Sequence, residues 1–201
     1  MISQGSILAM IARFDTAHQR MRAELAADQA RLHHLAHHDP LTGLPNRHHL
    51  FNRLTETVAT IVGPADDDAR GVRAGVFYLD VDWFKTVNDT HGHDVGDRLL
   101  RAVADRLREH THPTDTLARI GGDEFVLICP HVRTPDDARA VVDRLHRELA
   151  APVEPGPPAA LTLSIGYTLA RPGTDPAEII ASADTAMYAS RAKARAQTDT
   201  T

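Results

Sequence analysis

Two adjacent glycines, Gly121-Gly122, separate two runs of strand-forming residues, Thr116-Leu117-Ala118-Arg119-Ile120 and Phe125-Val126-Leu127-Ile128. A tight reversal of a β-chain needs positive φ, which glycine adopts without a Cβ clash, so this stretch predicts a β-hairpin with both glycines at the centre of its turn. That expectation restricts the chain to folds containing an antiparallel strand pair. Asp123 and Glu124 follow the glycines and open a strand that is otherwise apolar as far as Cys129. Adjacent carboxylates repel one another and are poor strand formers, so a bound cation is their simplest compensation.

A second apolar run, Val76-Phe77-Tyr78-Leu79, is also rich in strand formers and ends in Asp80-Val81-Asp82. A buried strand thus delivers carboxylates at its C-terminal end. If that strand neighbours the hairpin, Asp80, Asp123 and Glu124 converge. Mg²⁺ suits such a place, because it takes carboxylates, waters and substrate phosphates in preference to an all-protein cage.

Around these strands, apolar residues at helical spacing predict five helices. The first has Pro45 in its first turn and continues through Leu50, Phe51, Leu54, Val58, Ile61 and Val62. A short one covers Trp83 to Val87, another Val95 to about Arg108, a fourth opens at Pro135 and runs through Leu149, and the last spans Pro176 to about Ala196. Asn88 to Asp94 reads as a polar loop, Asp66-Asp67-Asp68 as part of a solvated one, and Ala160 to Leu169 as a strand with Gly166 inside it. The order β-α-α-β-β-α-β-α argues for an α+β domain. Its central antiparallel sheet, of about five strands, is covered by helices on a plan close to ferredoxin-like.

Ahead of this domain, apolar residues alternate at spacings of four and three: Ile7, Ile11, Phe14, Met21, Leu25, Leu32 and Leu35, with polar His18 and Asp28 at two positions of the same seam. This is a heptad pattern, which predicts a helix over residues 1–36 that joins two copies as a parallel coiled coil; an amphipathic helix lying on its own domain is the alternative. His38-Asp39-Pro40-Leu41-Thr42-Gly43-Leu44-Pro45 breaks the helix and marks the boundary of a domain over 37–197, followed by a tail, 198–201. His33, His34, His37 and His38 include pairs at metal-binding helical spacing but read as exposed helix residues.

The net charge of −5 and pI near 6.2 give no general attraction for nucleic acid, so any phosphate-bearing ligand must be held by local features. Cys129 is the only cysteine, which precludes an intrachain disulfide and fits a reducing cytoplasm. The apolar stretch Ile7 to Ala12 is interrupted by Arg13 and Asp15, far short of the roughly 20 residues a membrane span needs. No basic segment with a small-residue cleavage site precedes it, and the expectation is a soluble, cytoplasmic protein.

From about His38 to Ala196 the residues resemble the GGDEF-domain diguanylate cyclases. The resemblance is carried by Asp39-Pro40-Leu41-Thr42-Gly43-Leu44-Pro45-Asn46-Arg47, Asp80-Val81-Asp82-Trp83-Phe84-Lys85 with Asn88-Asp89, and Gly92-His93-Asp94-Val95-Gly96-Asp97. It continues through Arg119-Ile120-Gly121-Gly122-Asp123-Glu124-Phe125, Ser164-Ile165-Gly166, and Ala183-Asp184 with Met187-Tyr188. The resemblance implies a nucleotidyl cyclase or palm-like version of the α+β plan. It further implies a homodimer in which two GTP-loaded subunits face each other and condense two GTP into cyclic di-GMP, releasing pyrophosphate.

By the same resemblance, two Mg²⁺ ions, or Mn²⁺, are held by Asp80, the Val81 carbonyl, Asp123 and Glu124, with Asp123 closest to activation of the 3′-hydroxyl. Asn88 and Asp97 read guanine: a carboxylate accepts from N1–H and the exocyclic amine, a pairing adenine does not offer. Phe84, Lys85, Gly121, Gly122, Arg191 and Arg195 bind phosphate. Arg191 stands where the family usually has lysine, and Ala194 and Ala196 depart from its usual glycine and asparagine. Where many members carry Arg-x-x-Asp as an inhibitory product site, this chain has His112-Pro113-Thr114-Asp115, so that site is degenerate. The competing readings are a catalytically silent GTP- or cyclic-dinucleotide-binding regulatory module and a polymerase-like palm; acidic charge and short length count against the palm.

Overall fold

The computed structural model describes residues 4–61, 74–150 and 162–198. The chain divides into two units, Met1–His37 and His38–Thr201. The first is helix α1, Gln4–His37. Of its heptad seam, Met21, Leu25, Leu32 and Leu35 are exposed, each by half its surface or more.

The second unit opens with a turn, Gly43 having φ +68, and with Pro45 bridged to His38 rather than lying inside a helix. Helix α2, Arg47–Thr60, starts one residue after Asn46, whose side chain accepts from the His49 N–H at 3.0 Å and so satisfies one of the free donors of the first turn. Strand β1 is Ala74–Val81, followed by α3, Phe84–His91, and α4, His93–Glu109. The expected polar loop at Asn88 to Asp94 is therefore helical apart from Gly92, whose φ of +83 ends one helix and starts the next. Asn88 lies within α3.

The hairpin is β2, Thr116–Gly121, and β3, Glu124–Cys129. Helix α5, Pro135–Leu149, opens with a reciprocal capping box in which Thr134 accepts from the Asp137 N–H and Asp137 accepts from the Thr134 N–H. Strand β4, Leu163–Ala170, and helix α6, Pro176–Thr198, complete the unit.

The sheet has the order β2-β3-β1-β4 with every neighbour antiparallel. Four strands lie among the described residues, against the expected count of about five. They are the four that the sequence pattern itself delineates; residues 62–73 and 151–161, including the acidic Asp66-Asp67-Asp68 segment and Pro152 to Pro158, lie outside the description.

Side chains of a strand alternate between faces, and the two faces of this sheet build separate cores. Phe77, Leu79, Val81, Phe125, Leu127 and Cys129 pack with Leu99, Leu100, Val103 and Leu107 of α4 and Leu145 and Leu149 of α5. Val76, Tyr78, Val126 and Ile128 pack on the other face with Leu50 and Leu54 of α2 and Ile179, Ile180, Ala183 and Met187 of α6. Each Leu or Phe removed from water contributes roughly 1.5–3 kcal/mol, so both layers hold the sheet firmly. The even-numbered end of β1, Asp80, consequently lies on the α6 face.

Candidate active site

Register fixes the first group of acids. Asp80 of β1 is paired with Glu124 of β3 on one side and with Ser164 of β4 on the other. Directly opposed residues share a face, so Asp80, Glu124 and Ser164 all look toward α6. Asp123 sits one residue beyond the strand, at the tip of the hairpin, and its carbonyl accepts from the Val81 N–H at 3.1 Å. That bond ties the turn to the end of β1.

The turn itself differs from the expectation. Gly121 pairs with Glu124, so the two central residues are Gly122 and Asp123, not the two glycines. Both glycines still have positive φ, +157 at Gly121 and +46 at Gly122, but Gly121 belongs to the end of β2. A register shift between Arg119 and Gly121 inserts a bulge that re-aims the chain into the turn.

Asp80 is buried, and its Oδ1 accepts no hydrogen bond. Burial pushes its pKa up to about 6, and the charges of Asp123, Asp82 and Glu124 add to the rise, against the opposing pull of Arg191. Arg191 Nη1 lies 3.0 Å from Asp80 Oδ1 and its Nε 3.7 Å from Asp82 Oδ1. The attraction is real but burial and the neighbouring acids win. Asp82 is steadied by the Ser164 hydroxyl, which donates to its Oδ1 at 2.6 Å. Tyr78, two residues before Asp80 on the same face, has its phenol pKa raised by burial and then by Glu124.

These acids suit a divalent cation chemically: they present carboxylate oxygens at one sheet end, one of them buried and without a hydrogen bond. Among the described residues no group of three or more His, Cys, Asp or Glu side chains is arranged to hold a metal ion by itself. An open set of carboxylates fits Mg²⁺, which keeps waters and phosphate oxygens in its shell.

Helices α3 and α4 bring the second group together. A Cβ on Gly96 would collide with Asn88 Oδ1 and press on Phe84, so glycine there lets α3 approach α4 closely. Asn88 Oδ1 is buried without a hydrogen-bond partner against Gly96, the residue that precedes half-buried Asp97. Phe84 and Lys85 occupy the first turn of α3, entered through Trp83 at φ 63, a strained left-handed conformation for a large side chain. Lys85 is exposed.

Arg191 reaches the acids because β4 and α6 run unusually close. A Cβ on Gly166 would overlap the Met187 backbone N and the Ala183 carbonyl, and Arg191 follows one helical turn after Met187. Arg195 lies further along α6, its side chain outside the described residues. His112 and Asp115 stand at the opposite end of β2 from the turn. There Asp115 Oδ2 accepts from the His112 N–H at 2.9 Å, closing a local turn.

Arg119 is a residue whose role sequence reasoning missed. Its Nη1 makes two 2.9 Å bonds to the Asp39 carboxylate, while Nε and Nη2 donate to the Gly122 carbonyl at 3.0 and 2.7 Å. Asp39 also accepts from the Thr42 N–H and hydroxyl. Burial raises its pKa, but the bonds from Thr42 and Arg119 outweigh this and hold the carboxyl below its ordinary value. Arg119 thus fastens the domain-opening turn to the β2–β3 hairpin.

A helix-covered antiparallel sheet with acids at one end, beside a two-helix wall bearing an amide and a carboxylate, is the build of a nucleotide-handling α+β domain. The model of the diguanylate cyclase GGDEF domain matches residues 36–197. The chain belongs to that family. It is 38% identical over 178 residues to the bifunctional diguanylate cyclase/cyclic di-GMP phosphodiesterase MucR of Pseudomonas aeruginosa, covering 87% of this chain and 25% of MucR. It is 34% identical over 177 residues to the diguanylate cyclase TpbB of the same organism, covering 87% of this chain and 39% of TpbB. The chain therefore spans well under half of these relatives. The coiled coil and GGDEF domain of DgcB from Caulobacter crescentus, solved with c-di-GMP, superposes with a TM-score of 0.74 at 28% identity, covering 94% of this chain and 95% of DgcB's. Among the described residues no helix is long and apolar enough to cross a membrane.

Proposed function

We propose that this chain is a diguanylate cyclase that condenses two GTP into cyclic di-GMP and two pyrophosphates at the interface of a homodimer. The observation that carries the reading is the pairing of Asp80 with Glu124 across β1 and β3, with Asp80 Oδ1 buried and unbonded beside the hairpin tip that bears Asp123. Such an end of a sheet offers negative charge where a divalent cation and phosphates meet.

Asp80, the Val81 carbonyl, Asp123 and Glu124 would hold Mg²⁺ or Mn²⁺, which supplies Lewis acidity and neutralises developing charge on transferring phosphoryl groups. The remaining roles belong to the chain's own groups. Asn88 and Asp97 select guanine by hydrogen bonds to its Watson–Crick edge. Phe84 and Lys85 offer the first-turn N–H groups of α3 and an ammonium to the terminal phosphates. Gly121 and Gly122 give the turn no side chain, so phosphate can come close. Arg191 and Arg195 add charge along α6, and Asp123 stands closest to activation of the attacking 3′-hydroxyl.

Each site supplies half of a two-GTP reaction, so a second copy must face it. Two copies align through the heptad seam of α1 over residues 1–36, with the cyclase domain over 37–197. A cytoplasmic setting follows from the GTP substrate.

Incubating the protein with GTP and Mg²⁺ and resolving the nucleotides tests the reading. Cyclic di-GMP and pyrophosphate should appear, and Asp123→Asn should abolish both while preserving the fold. A confirmed dimer that binds GTP and yields neither product would establish the silent regulatory module instead.

A further inference from the structure

Arg191 contacts the carboxylate that the proposed chemistry requires for a cation. Its Nη1 approaches Asp80 Oδ1 at 3.0 Å, while its Nε, buried and without a hydrogen bond, lies 3.7 Å from Asp82 Oδ1. Because Asp80 Oδ1 accepts no hydrogen bond, the contact is held by charge rather than by aligned donors. The guanidinium's planar fork spans the two carboxylates, which a single ammonium at the same place does not do equally well. Ser164 fixes Asp82 from the β4 side, and Gly166 lets α6 sit close enough for the side chain to arrive.

We propose that Arg191 is a tethered counterion that competes with the divalent cation for Asp80 and is drawn off by nucleotide phosphate, so that nucleotide and metal bind cooperatively. The inference rests on the reading that Asp80 takes the cation. A guanidinium held 3.0 Å from Asp80 Oδ1 and a divalent cation drawn to the same oxygen repel one another, so each weakens the other's hold on it. Asp82, Asp123 and Glu124 all act on Asp80, so losing the guanidinium leaves the acids more negative and more attractive to Mg²⁺ or Mn²⁺. A triphosphate offers Arg191 oxygens with more charge than Asp80 carries, and its transfer releases Oδ1. Each ligand then lowers the cost of binding the other, which is a reciprocal coupling. Arginine in place of the lysine expected by family resemblance makes the competition stronger in this chain.

The test is a Mn²⁺ titration of nucleotide-free protein, read by the electron paramagnetic resonance of free Mn²⁺. Arg191→Met should bind Mn²⁺ roughly tenfold more tightly than wild type, equivalent to about 1.4 kcal/mol. Arg191→Lys should fall between them. A non-hydrolysable GTP analogue should bind Arg191→Met more weakly in a chelator, the opposite sign. Adding that analogue should raise Mn²⁺ affinity more in wild type than in Arg191→Met.

Equal or weaker Mn²⁺ binding by Arg191→Met overturns the competition, and a residue that merely supports the fold predicts that result. Should Arg191→Met fold poorly, Arg191→Lys carries the test: Mn²⁺ affinity no higher than wild type overturns the proposal. Asp80→Asn separates the two layers of argument. If it binds Mn²⁺ as tightly as wild type, the cation does not use Asp80 and the underlying site assignment fails. If Asp80→Asn loses Mn²⁺ while Arg191→Met gains nothing, the site stands and the counterion role falls.

Discussion

Replacing Asp80 by Asn separates what the site needs from what the fold prefers. In the folded chain the Asp80 carboxyl is pushed from 3.8 up to about 6, chiefly by burial. A raised carboxylate pKa means that the folded state disfavours the charge. The associated stability is fully present below the unfolded value, is lost as pH rises toward 6, and stays absent above. At about 1.36 kcal/mol per pKa unit, the roughly two-unit rise corresponds to about 3 kcal/mol at pH 8. Asparagine preserves the size of the side chain and still presents an oxygen to Arg191, but carries no charge to bury.

Asp80→Asn should therefore be more stable than wild type at pH 8 in a chelator. The gain is up to about 3 kcal/mol, and for a domain of this size that is a melting temperature higher by roughly 6–12 °C. Lowering the pH from 8 to 4 should close much of the gap, because wild-type Asp80 then takes up its proton. Saturating Mg²⁺ should also close it by stabilising wild type alone. Thermal unfolding followed by circular dichroism at both pH values, with and without Mg²⁺, checks all three statements. An Asp80→Asn variant that melts below wild type at pH 8 in chelator would refute the claim that Asp80 is electrostatically strained. Activity should be lost throughout, so stability and turnover would move in opposite directions.

Arg119→Ala removes both bonds to Asp39 and both donors to the Gly122 carbonyl, leaving the half-buried carboxylate with its Thr42 bonds but without its counterion. A loss of roughly 3 kcal/mol in urea denaturation is expected, with Arg119→Lys recovering only part of it. Two glycines should respond differently to alanine. At Gly166 the new methyl meets the backbone of Met187 and Ala183, for a cost of about 3 kcal/mol or more, whereas at Gly122 nothing lies within 4 Å and only the φ of +46 resists, costing roughly 1–2 kcal/mol. Unfolding midpoints rank the two. Calorimetry with cyclic di-GMP should show no sub-micromolar binding at the Asp115 end of β2, since His112 supplies no bidentate fork and Asp115 is already engaged by the His112 N–H.

The elements that were legible in the sequence are those set by local pattern. Val76 to Leu79, the hairpin runs, and the helices through Leu99, Leu145 and Ile179 follow from periodicity, and their acids and glycines from residue chemistry. Errors arose where one residue's conformation decides the boundary. Asparagine favours turns, so Asn88 reads as a loop residue, but Gly92 ends α3 only after His91, and the close α3–α4 contact at Gly96 gives the Asn88 amide its place. Likewise Pro45 is suited to a first helical turn, yet it bridges to His38, and Asn46 supplies the cap.

The partners of Arg119 and Arg191 lie beyond local reading altogether. Arg119 meets an aspartate 80 residues earlier, and Arg191 meets Asp80 across two elements. Neither distance follows from spacing along the chain. What the sequence does contain is parity. Once β1, β3 and β4 are placed side by side, the alternation that buries Val76 and Tyr78 against α6 must also point Asp80 there, with Glu124 and Ser164 opposite it. A one-residue slip would turn Asp80 toward α4 and Leu79 toward α6. The hydrophobic pattern that selects the register thus also determines which helix supplies the counterion, so the site's electrostatics are a consequence of core packing.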